Sequence, residues 1–543
     1  MQRTLLLAAA LLLFASCAET PPPGINVIPR PVSVEPGDGV FRIGRSCRIG
    51  YDDPALQSVA GLCAGYLAEA GVRKPVVTDK PVHRGVDLQL DATLAGEAYA
   101  LSVTPRGVTV CGGSSRAVLY GVQTLRQLVD GGRVPVVEIR DEPCFGYRGA
   151  MFDVARYFYP VEDVKRFIDI MALHKLNTFH WHLTDDQGWR IEIRRYPELT
   201  RVGSVRRETL IGHYKTSDRY DGTPHGGYYT QDEIREVVAY AAERCIEVIP
   251  EIELPGHSMA ALASYPWLGC TKGPYEVRTT WFYSSDVLCA GRETTFEFLE
   301  NVLAEVLELF PSKYIHIGGD ECPKVRWEKC PDCRRRIRQE GLKDGDDLQS
   351  YFVSRIEKWL HARGREMIGW DELLEGGVTP STIVMSWRGA EGGIKAAKLG
   401  NRVVMSPRFY FYLDYYQTSD PESNGEPLSI GRNIPIRKLY GYDPFDELDE
   451  AQGRNILGIQ ANLWTEYVAT MDHAEYMLLP RLAAMSEVAW APRGRDYDDF
   501  VRRMQSLRRI YDLCAGNVIS VFSCTLFNSF FVTNKDNLCN SFF

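Results

Sequence analysis

The sequence predicts an α/β protein in which a (β/α)8 TIM barrel forms the catalytic domain and follows a small α+β domain. Eight strand-like apolar segments alternate with helical segments between residues 143 and 495. Unusual polar and aromatic residues come directly after these strands, where a barrel places its chemistry. A doubly wound sheet is the alternative, but the first strand lacks the glycine-rich phosphate turn typical of that fold.

The N-terminus is predicted to be an export signal. Arg3 precedes the apolar run 5–14, which is too short to span a bilayer as a stable helix. The stretch Phe14-Ala15-Ser16-Cys17 resembles a bacterial lipobox. We therefore expect a lipoprotein signal peptide over residues 1–17 and a tether over 18–24, although an ordinary signal peptide cut nearby fits the same pattern. The mature chain would be exported and lipid-anchored through Cys17 to a bacterial membrane, with a periplasmic or cell-surface location.

The composition is that of a globular protein that does not bind nucleic acid. Apolar residues make up 45% and charged residues 24% of the 543 residues, which is ordinary for a folded domain. The net charge is -9 and no basic run stands out, so nucleic acid is not an expected partner. The predicted lipid anchor is the only expected contact with a membrane.

Residues 25–142 are predicted to form the small α+β domain. Strand character marks 88–90, 98–103 and 108–111, and helical spacing of apolar residues marks 115–129. The region has no cluster of acids, histidines or nucleophiles. We interpret it as a non-catalytic supporting module.

Residues 143–495 carry the alternating pattern of the predicted barrel. The predicted strands are 147–153, 178–183, 246–252, 314–317, 367–370, 383–387, 402–405 and 456–461. The predicted helices are 161–173, 231–244, 295–309, 348–363, 391–399 and 474–489. Residues 496–543 are predicted to be a C-terminal helix and an atypical tail, and the tail from 518 onward has no clear periodicity.

Candidate functional residues follow nearly every predicted strand. They are Arg156, Asp185, Glu253 with His257, Asp320 with Glu321, Trp370, Trp387, and Trp464 with Glu466. The seventh strand is followed by the long segment 407–455, which contains Tyr412 and Asp414. Connections of that length are usually functional. Because strand ends meet at one face of a barrel, these residues are expected to form one site.

The stretch 314–321, Tyr-Ile-His-Ile-Gly-Gly-Asp-Glu, is the centre of this prediction. Two glycines permit a tight turn after a buried strand, and two adjacent carboxylates follow. Neighbouring residues of a strand point in opposite directions, so Asp320 and Glu321 are not expected to flank a glycosidic bond as acid and nucleophile. A substrate that carries its own nucleophile, such as a 2-acetamido group, resolves this difficulty.

The residue types favour carbohydrate chemistry. The set contains no convincing Ser-His-Asp arrangement, Gly-x-Ser-x-Gly elbow or phosphate loop. Tryptophan faces suit the apolar side of a sugar, while arginine and carboxylates bind its hydroxyls.

The cysteines are interpreted as structural or disulfide-forming, and no metal or cofactor is expected. Among 14 cysteines, Cys322, Cys330 and Cys333 form the only tight cluster in the sequence. A zinc site would need a fourth ligand at matching spacing, and no second Cys-x-x-Cys is present.

Several long motifs, in order, give the sequence a resemblance to glycoside hydrolase family 20, the β-N-acetylhexosaminidase family. They are 180–190 (HWHLTDDQGWR), 250–257 (PEIELPGH), 316–321 (HIGGDE), 369–372 (GWDE), 386–389 (SWRG) and 460–466 (QANLWTE). The N-terminal module resembles the family's non-catalytic domain through 120–125 (YGVQTL). The resemblance covers residues 25–510.

The resemblance implies hydrolysis assisted by the substrate's own acetamido group. Glu321 would be the general acid and then the base, and Asp320 would orient the acetamido N–H and stabilise an oxazolinium-like intermediate. Tyr412 would donate a hydrogen bond to the acetamido oxygen. His257, paired with Glu253, would support the acid.

The remaining residues would bind the sugar. The resemblance implies that Trp370, Trp387 and Trp464 enclose the acetamido methyl, that Arg156, Asp185 and Glu466 hold ring hydroxyls, and that Asp414 lies near the sugar. The expected partners are glycans with terminal β-linked GlcNAc or GalNAc. Two alternatives are release of a disaccharide, as a lacto-N-biosidase does, and glycan binding without catalysis. An endo-acting chitinase is disfavoured because the Asp-x-x-Asp-x-Asp-x-Glu run is absent.

Overall fold

The computed structural model describes residues 25–515, with side chains to residue 512. The predicted signal peptide, Cys17, the tether and the tail from 518 onward lie outside these residues. Within the described range, no helix combines the length and the apolar character that a membrane-spanning helix needs.

The N-terminal region is a mixed seven-stranded sheet covered by two helices. Its strands are Ser33–Arg42, Arg48–Tyr51, Val76–Thr78, Val86–Leu90, Tyr99–Thr104, Gly107–Gly112 and Arg133–Asp141. Its main helices are Gln57–Glu69 and Ser115–Leu128. The three predicted strands and the predicted helix are present with ends shifted by one or two residues. Sequence patterns missed the other four strands. The first of them pairs antiparallel with Arg133–Asp141, with an interruption of the pairing between Pro36 and Val40.

The predicted barrel is confirmed. Eight parallel strands close on themselves: Tyr147–Asp153, Thr178–His182, Glu247–Glu251, Tyr314–His316, Glu366–Trp370, Ile383–Ser386, Val403–Met405 and Ile456–Leu463. They are called barrel strands 1 to 8 below. The eighth strand pairs with the first from Gly458 opposite Tyr147 to Leu463 opposite Phe152, which completes the ring.

Helices follow the strands and pack around the barrel. The principal ones are Val161–Leu173, Gln231–Glu243, Glu293–Leu309, Gly345–His361 and Glu391–Leu399. The helix Gln231–Glu243 begins at a capping box, in which Thr230 and Glu233 satisfy each other's backbone N–H groups. Strand 5 is followed only by the 3-10 turn Asp371–Leu374, and strand 7 by short helices at Arg408–Phe411, Ile436–Tyr440 and Glu450–Gly453.

The single helix predicted over 474–489 is wrong. The chain instead forms two helices, Met471–Leu478 and Arg481–Trp490, and a final helix Tyr497–Ala515 follows. Pro480 lies at the break, and proline cannot donate the backbone hydrogen bond that a continuous helix requires.

Candidate active site

The residues predicted after strands 1 to 4 form one connected group at the carboxyl ends of the strands. A guanidinium nitrogen of Arg156 lies 2.9 Å from Asp185 Oδ2, and Asp185 Oδ1 lies 3.1 Å from His257 Nδ1. The other ring nitrogen of His257 lies 3.5 Å from Glu321 Oε2. Contacts therefore run without interruption from Arg156 to the carboxylate pair, and these residues lie at one face of the barrel as predicted.

A tight turn delivers Asp320 and Glu321 to this group. Strand 4 ends at His316, and Gly318 and Glu321 have positive φ values of 65° and 39°. A Cβ added to Gly318 would lie 1.8 Å from Glu253 Oε2, so the position needs glycine for both space and backbone conformation. The predicted role of the two glycines as a turn is confirmed.

Asp320 and Glu321 approach the same imidazole. Asp320 Oδ2 lies 3.8 Å and Glu321 Oε2 lies 3.5 Å from His257 Nε2. The expected opposite directions of the two side chains are therefore wrong, because the pair lies in a turn and not on the strand. Asp320 is 7% exposed, whereas the Glu321 side chain is 31% exposed.

The Asp320 carboxyl has one oxygen, Oδ1, that is buried without a hydrogen-bond partner. Burial, together with the charges of Glu321 and Glu251, raises the pKa of Asp320 to about 7 against the opposing effect of His257. A buried acceptor without a donor is costly. The carboxyl is thus prepared to accept a hydrogen bond from a bound molecule.

His257 is held by Asp185, and the predicted pairing with Glu253 is wrong. Burial favours the neutral ring, but Asp185, with help from Glu321 and Asp320, raises the pKa of His257 well above its usual value. Both carboxylate oxygens of Glu253 are buried without a hydrogen-bond partner. The Glu253 carboxylate instead lies against Gly318, where burial raises its pKa well above the usual range.

Asp185 lies behind the site and not at its surface, which corrects its predicted role in holding a sugar hydroxyl. Its two oxygens contact the Arg156 guanidinium, the rings of His182 and His257, and the backbone N–H of Asp186. The residue is 1% exposed. Burial opposes ionisation, but Arg156 and His257 hold the pKa of Asp185 well below its usual range. Asp185 therefore positions Arg156 and His257.

A second carboxylate, Glu251, organises the layer beneath. Its Oε1 lies 2.7 Å from His316 Nδ1 and accepts a hydrogen bond from the Trp370 indole at 2.9 Å. Its Oε2 lies 3.0 Å from His180 Nε2 and is in hydrogen-bond contact with His182 Nδ1. All five residues are fully buried. Although burial opposes ionisation, the three histidines hold the pKa of Glu251 well below its usual range.

The predicted aromatic wall is assembled. Trp387 donates its indole N–H to Glu372 at 2.7 Å and stacks on Tyr412, with ring centroids 5.9 Å apart and planes 14° apart. Trp464 lies 6.0 Å from Trp370 and 6.2 Å from Tyr412 between ring centroids. The four rings from strands 5 to 8 and the segments that follow them thus form one continuous series of neighbouring rings.

The other predicted sugar-binding residues lie beside this wall. The Arg156 guanidinium lies over the Trp464 ring, 4.8 Å from its centroid. Asp414 is buried with Oδ1 unpaired, and burial, followed by the charge of Glu466, raises its pKa well above the usual range. Burial also raises the pKa of Glu466 although Arg156 opposes the shift. The unpaired Asp414 oxygen is a second acceptor for a polar ligand.

Sequence reasoning assigned no role to three residues of the site, although two of them, Glu251 and Glu372, lie in the motifs 250–257 and 369–372. Asp153, the last residue of strand 1, accepts from the backbone of Arg156 and from Thr465. Glu251 is the buried centre described above. Glu372 orients Trp387, and burial, with the charges of Asp320 and Asp371, raises its pKa to about 9. The strand-end position of Asp153 and the Trp370-Asp371-Glu372 run were available signals.

Some of these groups are close enough to ligate a cation, but their chemistry disfavours one. Asp185, Asp186 and His257 bring ligand atoms within 4.8 Å of one another. The same Asp185 carboxylate already receives Arg156, whose positive charge opposes a second cation. The arrangement supports acid–base chemistry on a polar ligand.

Comparison with known families accounts for almost the whole described chain. Residues 145–493 match the catalytic domain of glycosyl hydrolase family 20, and residues 24–142 match domain 2 of the same family. The chain is 46% identical over 503 residues to a β-hexosaminidase of Porphyromonas gingivalis, in an alignment covering 89% of this chain and 63% of that protein. It is 38% identical to a β-hexosaminidase of Vibrio furnissii, over 85% of this chain and 76% of that one.

Solved structures agree with these matches. An exo β-N-acetylglucosaminidase from Vibrio harveyi in complex with N-acetylglucosamine superposes with a TM-score of 0.81 at 34% identity, covering 91% of this chain and 78% of that one. A mutant β-hexosaminidase from Streptomyces plicatus in complex with the product GlcNAc gives a TM-score of 0.80 at 31% identity, covering 92% and 97%. With both family domains matched in order around the site described above, the chain belongs to glycoside hydrolase family 20.

Proposed function

We propose that the protein is an exo-acting, retaining β-N-acetylhexosaminidase that hydrolyses terminal β-linked GlcNAc or GalNAc through an oxazolinium intermediate. The β-hexosaminidases of similar sequence support the substrate class. The observation that carries the mechanism is the buried, unpaired Oδ1 of Asp320 beside the more exposed Glu321.

Asp320 accepts the acetamido N–H of the bound sugar. That hydrogen bond supplies the donor that buried Oδ1 lacks, and it aligns the amide oxygen toward the anomeric carbon. As the amide oxygen attacks, positive charge develops on the ring being formed. An ionised Asp320 stabilises this charge, and the charge in turn favours ionisation of a carboxyl whose pKa is otherwise raised to about 7.

Glu321 transfers the protons. In the first step it donates a proton to the glycosidic oxygen while the amide oxygen forms a bond to the anomeric carbon and the glycosidic bond breaks. In the second step the Glu321 carboxylate removes a proton from water, the water oxygen attacks the same carbon, and the amide is restored. Two inversions give net retention of configuration. His257, 3.5 Å from Glu321 and fixed by Asp185, orients the acid.

The aromatic wall holds the acetamido group. Trp370 is fixed by Glu251 and Trp387 by Glu372, so both rings are rigid before substrate arrives. These rings and Trp464 form an apolar surface that fits a methyl group. Tyr412, stacked on Trp387, donates a hydrogen bond to the amide oxygen and orients that oxygen toward the anomeric carbon.

Arg156, Glu466 and Asp414 bind the ring hydroxyls. Arg156 is anchored by Asp185 and Asp153 and retains further N–H donors for a ligand. Asp414 has a buried oxygen without a partner, and a sugar hydroxyl can donate a hydrogen bond to it. Two acceptors and one donor at one side of the aromatic wall match the alternating polar groups of a pyranose.

A comparison of two aryl β-glycosides tests the mechanism. We expect the purified protein to release the aryl group from the 2-acetamido sugar and to form the β-anomer of the free sugar first, as seen by NMR. The 2-hydroxy analogue lacks the internal nucleophile, and we expect its hydrolysis to be slower by at least about 10³-fold, since a well-oriented intramolecular group is worth several kcal/mol. Equal rates, or the α-anomer as first product, would contradict the proposal.

A further inference from the structure

Four cysteine side chains meet between the segments that follow barrel strands 3 and 4. Cys270 and Cys289 come from the segment between strand 3 and helix Glu293–Leu309, and Cys330 and Cys333 follow strand 4. Their Sγ atoms all lie within 4.8 Å of one another. Three of the residues are buried and Cys270 is half-buried.

The sulfur distances match coordination of a metal ion. Cys289 Sγ lies 3.6 Å from Cys333 and 3.8 Å from Cys330, and Cys270 Sγ lies 3.8 Å from Cys333. A disulfide requires about 2.05 Å between two exclusive partners. Thiolates at about 2.3 Å from a tetrahedral zinc ion lie about 3.8 Å apart. Cys289 and Cys333 each lie 3.6 and 3.8 Å from two other sulfurs, which is the pattern of a tetrahedron.

The surrounding backbone is arranged around the cluster. A Cβ added to Gly291 would lie 2.3 Å from the Cys333 nitrogen, so only glycine allows the two segments to approach this closely. Arg292 donates to Gly269 O at 3.0 Å and to Asp332 Oδ2 at 2.7 Å. One cation thereby joins the chain beside Cys270 to the chain beside Cys333.

We propose that Cys270, Cys289, Cys330 and Cys333 bind a structural zinc ion as four thiolates. A sulfur-only tetrahedron suits zinc, and a closed set of four protein ligands is typical of a structural and not a catalytic site. Four thiolates and one zinc ion carry a net charge of about -2, and the single positive charge of the adjacent Arg292 guanidinium offsets part of it.

The zinc ion joins the two segments that carry His257 and Glu321. A direct hydrogen bond also connects these segments, since the Trp327 indole donates to Leu288 O at 2.9 Å. The metal is thus a cross-link between loops, placed outside the group of residues that contact the sugar. This inference does not depend on the proposed function.

The spacing argument in the sequence missed this site because two of the ligands are far upstream. Cys270 precedes Cys333 by 63 residues, and Cys289 precedes Cys330 by 41 residues. Cys270 and Cys289 do not themselves form a Cys-x-x-Cys pair, so only the fold brings them to Cys330 and Cys333. Cys322, which the sequence grouped with Cys330 and Cys333, is not a member of the cluster.

Elemental analysis of the full-length wild-type protein, purified without added reductant and without a metal-affinity column, tests the proposal. We expect about one zinc ion per chain that survives dialysis. Protein grown with cobalt in place of zinc should show the thiolate-to-cobalt charge-transfer and visible bands of a tetrahedral site. Substoichiometric zinc with four titratable thiols, stoichiometric iron, or disulfides among these cysteines in mass spectra would each overturn the proposal.

Serine variants locate the metal. Cys330→Ser and Cys333→Ser together should remove the zinc and lower the melting temperature, because two of the four ligands are lost. Cys144→Ser, at an exposed cysteine outside the cluster, is the matched control and should keep the full zinc content. Full zinc content in the double variant would overturn the assignment. If that variant does not fold, the wild-type zinc content and cobalt spectrum still decide the question.

Discussion

Two buried layers of the barrel differ in the hydrogen-bond partners that they provide for their carboxylates. In the lower layer, each oxygen of Glu251 has two partners among His180, His182, His316 and Trp370. In the upper layer, Asp320 and Asp414 each keep an oxygen that is buried and unpaired. Both layers are shielded from solvent, so burial alone does not distinguish them.

The pKa directions express the same difference. The histidines hold the pKa of Glu251 well below its usual range, whereas burial raises the pKa of Asp320 to about 7 and that of Asp414 well above its usual range. Paired groups stabilise the fold, and unpaired groups are destabilising until a ligand supplies the missing donors. The lower layer therefore acts as scaffold and the upper layer as binding site.

The largest expected effect on activity comes from Glu321→Gln in the upper layer. Removing the transferable proton should lower kcat/KM on a natural-type glycan by about 10²- to 10⁴-fold, because general acid–base catalysis contributes that much. The melting temperature should not change, since the side chain is partly exposed. Glu328→Gln, at an exposed glutamate on the same segment, is the control and should keep wild-type kinetics. Wild-type activity in Glu321→Gln would refute the acid assignment.

Glu251→Gln should lower the free energy of unfolding because it removes the carboxylate at the centre of the lower layer. Replacing the carboxylate leaves a buried cluster of histidines without its anion, and removing one partner of a buried ion pair costs about 3–5 kcal/mol. We expect this loss in the free energy of unfolding measured with urea near neutral pH. Because the folded pKa is lowered, the carboxylate's contribution is present above its usual value of 4.5 and is lost as pH falls through the folded pKa. An unchanged free energy of unfolding would show that the network is not scaffold.

Tyr412→Phe should lower kcat with little effect on the free energy of unfolding, and the loss of activity should be smaller than for Glu321→Gln. The variant keeps the ring that stacks on Trp387, so the free energy of unfolding should change by less than about 0.5 kcal/mol. It removes the hydroxyl proposed to bind the amide oxygen, and kcat should fall by about 10²-fold, as for other single donors to a reacting oxygen. A loss of stability without a loss of kcat would place Tyr412 in the scaffold.

The sequence was sufficient for the barrel but not for every contact in the site. The eight strands were predictable because each is a short apolar run and most are followed by a helix. The break at Pro480 was missed because apolar periodicity continues across it. The strand Ser33–Arg42 was missed because most of its side chains are exposed and its sequence contains proline and glycine.

Side-chain partners within the site were not predictable from the spacing of residues after one strand. The family resemblance implied that Glu253 pairs with His257, but Asp185, 72 residues upstream, reaches the ring. Contacts between different strands also explain why Glu251 was not recognised as the centre of three histidines from strands 2 and 4. For the same reason Asp185 was expected to bind the sugar. These contacts form because neighbouring strands of the barrel converge, and the local spacing of residues in the sequence does not predict them.

The most direct test of the two-layer account is the free energy of unfolding of Asp320→Asn relative to wild type between about pH 4 and pH 8. A carboxyl whose folded pKa is raised from 3.8 to about 7 destabilises the fold progressively as pH rises through that window. We therefore predict that Asp320→Asn becomes more stable than wild type as pH rises to about 7, while its activity falls by about 10²- to 10³-fold. A variant that is less stable than wild type across this range, or that keeps full activity, would contradict the account.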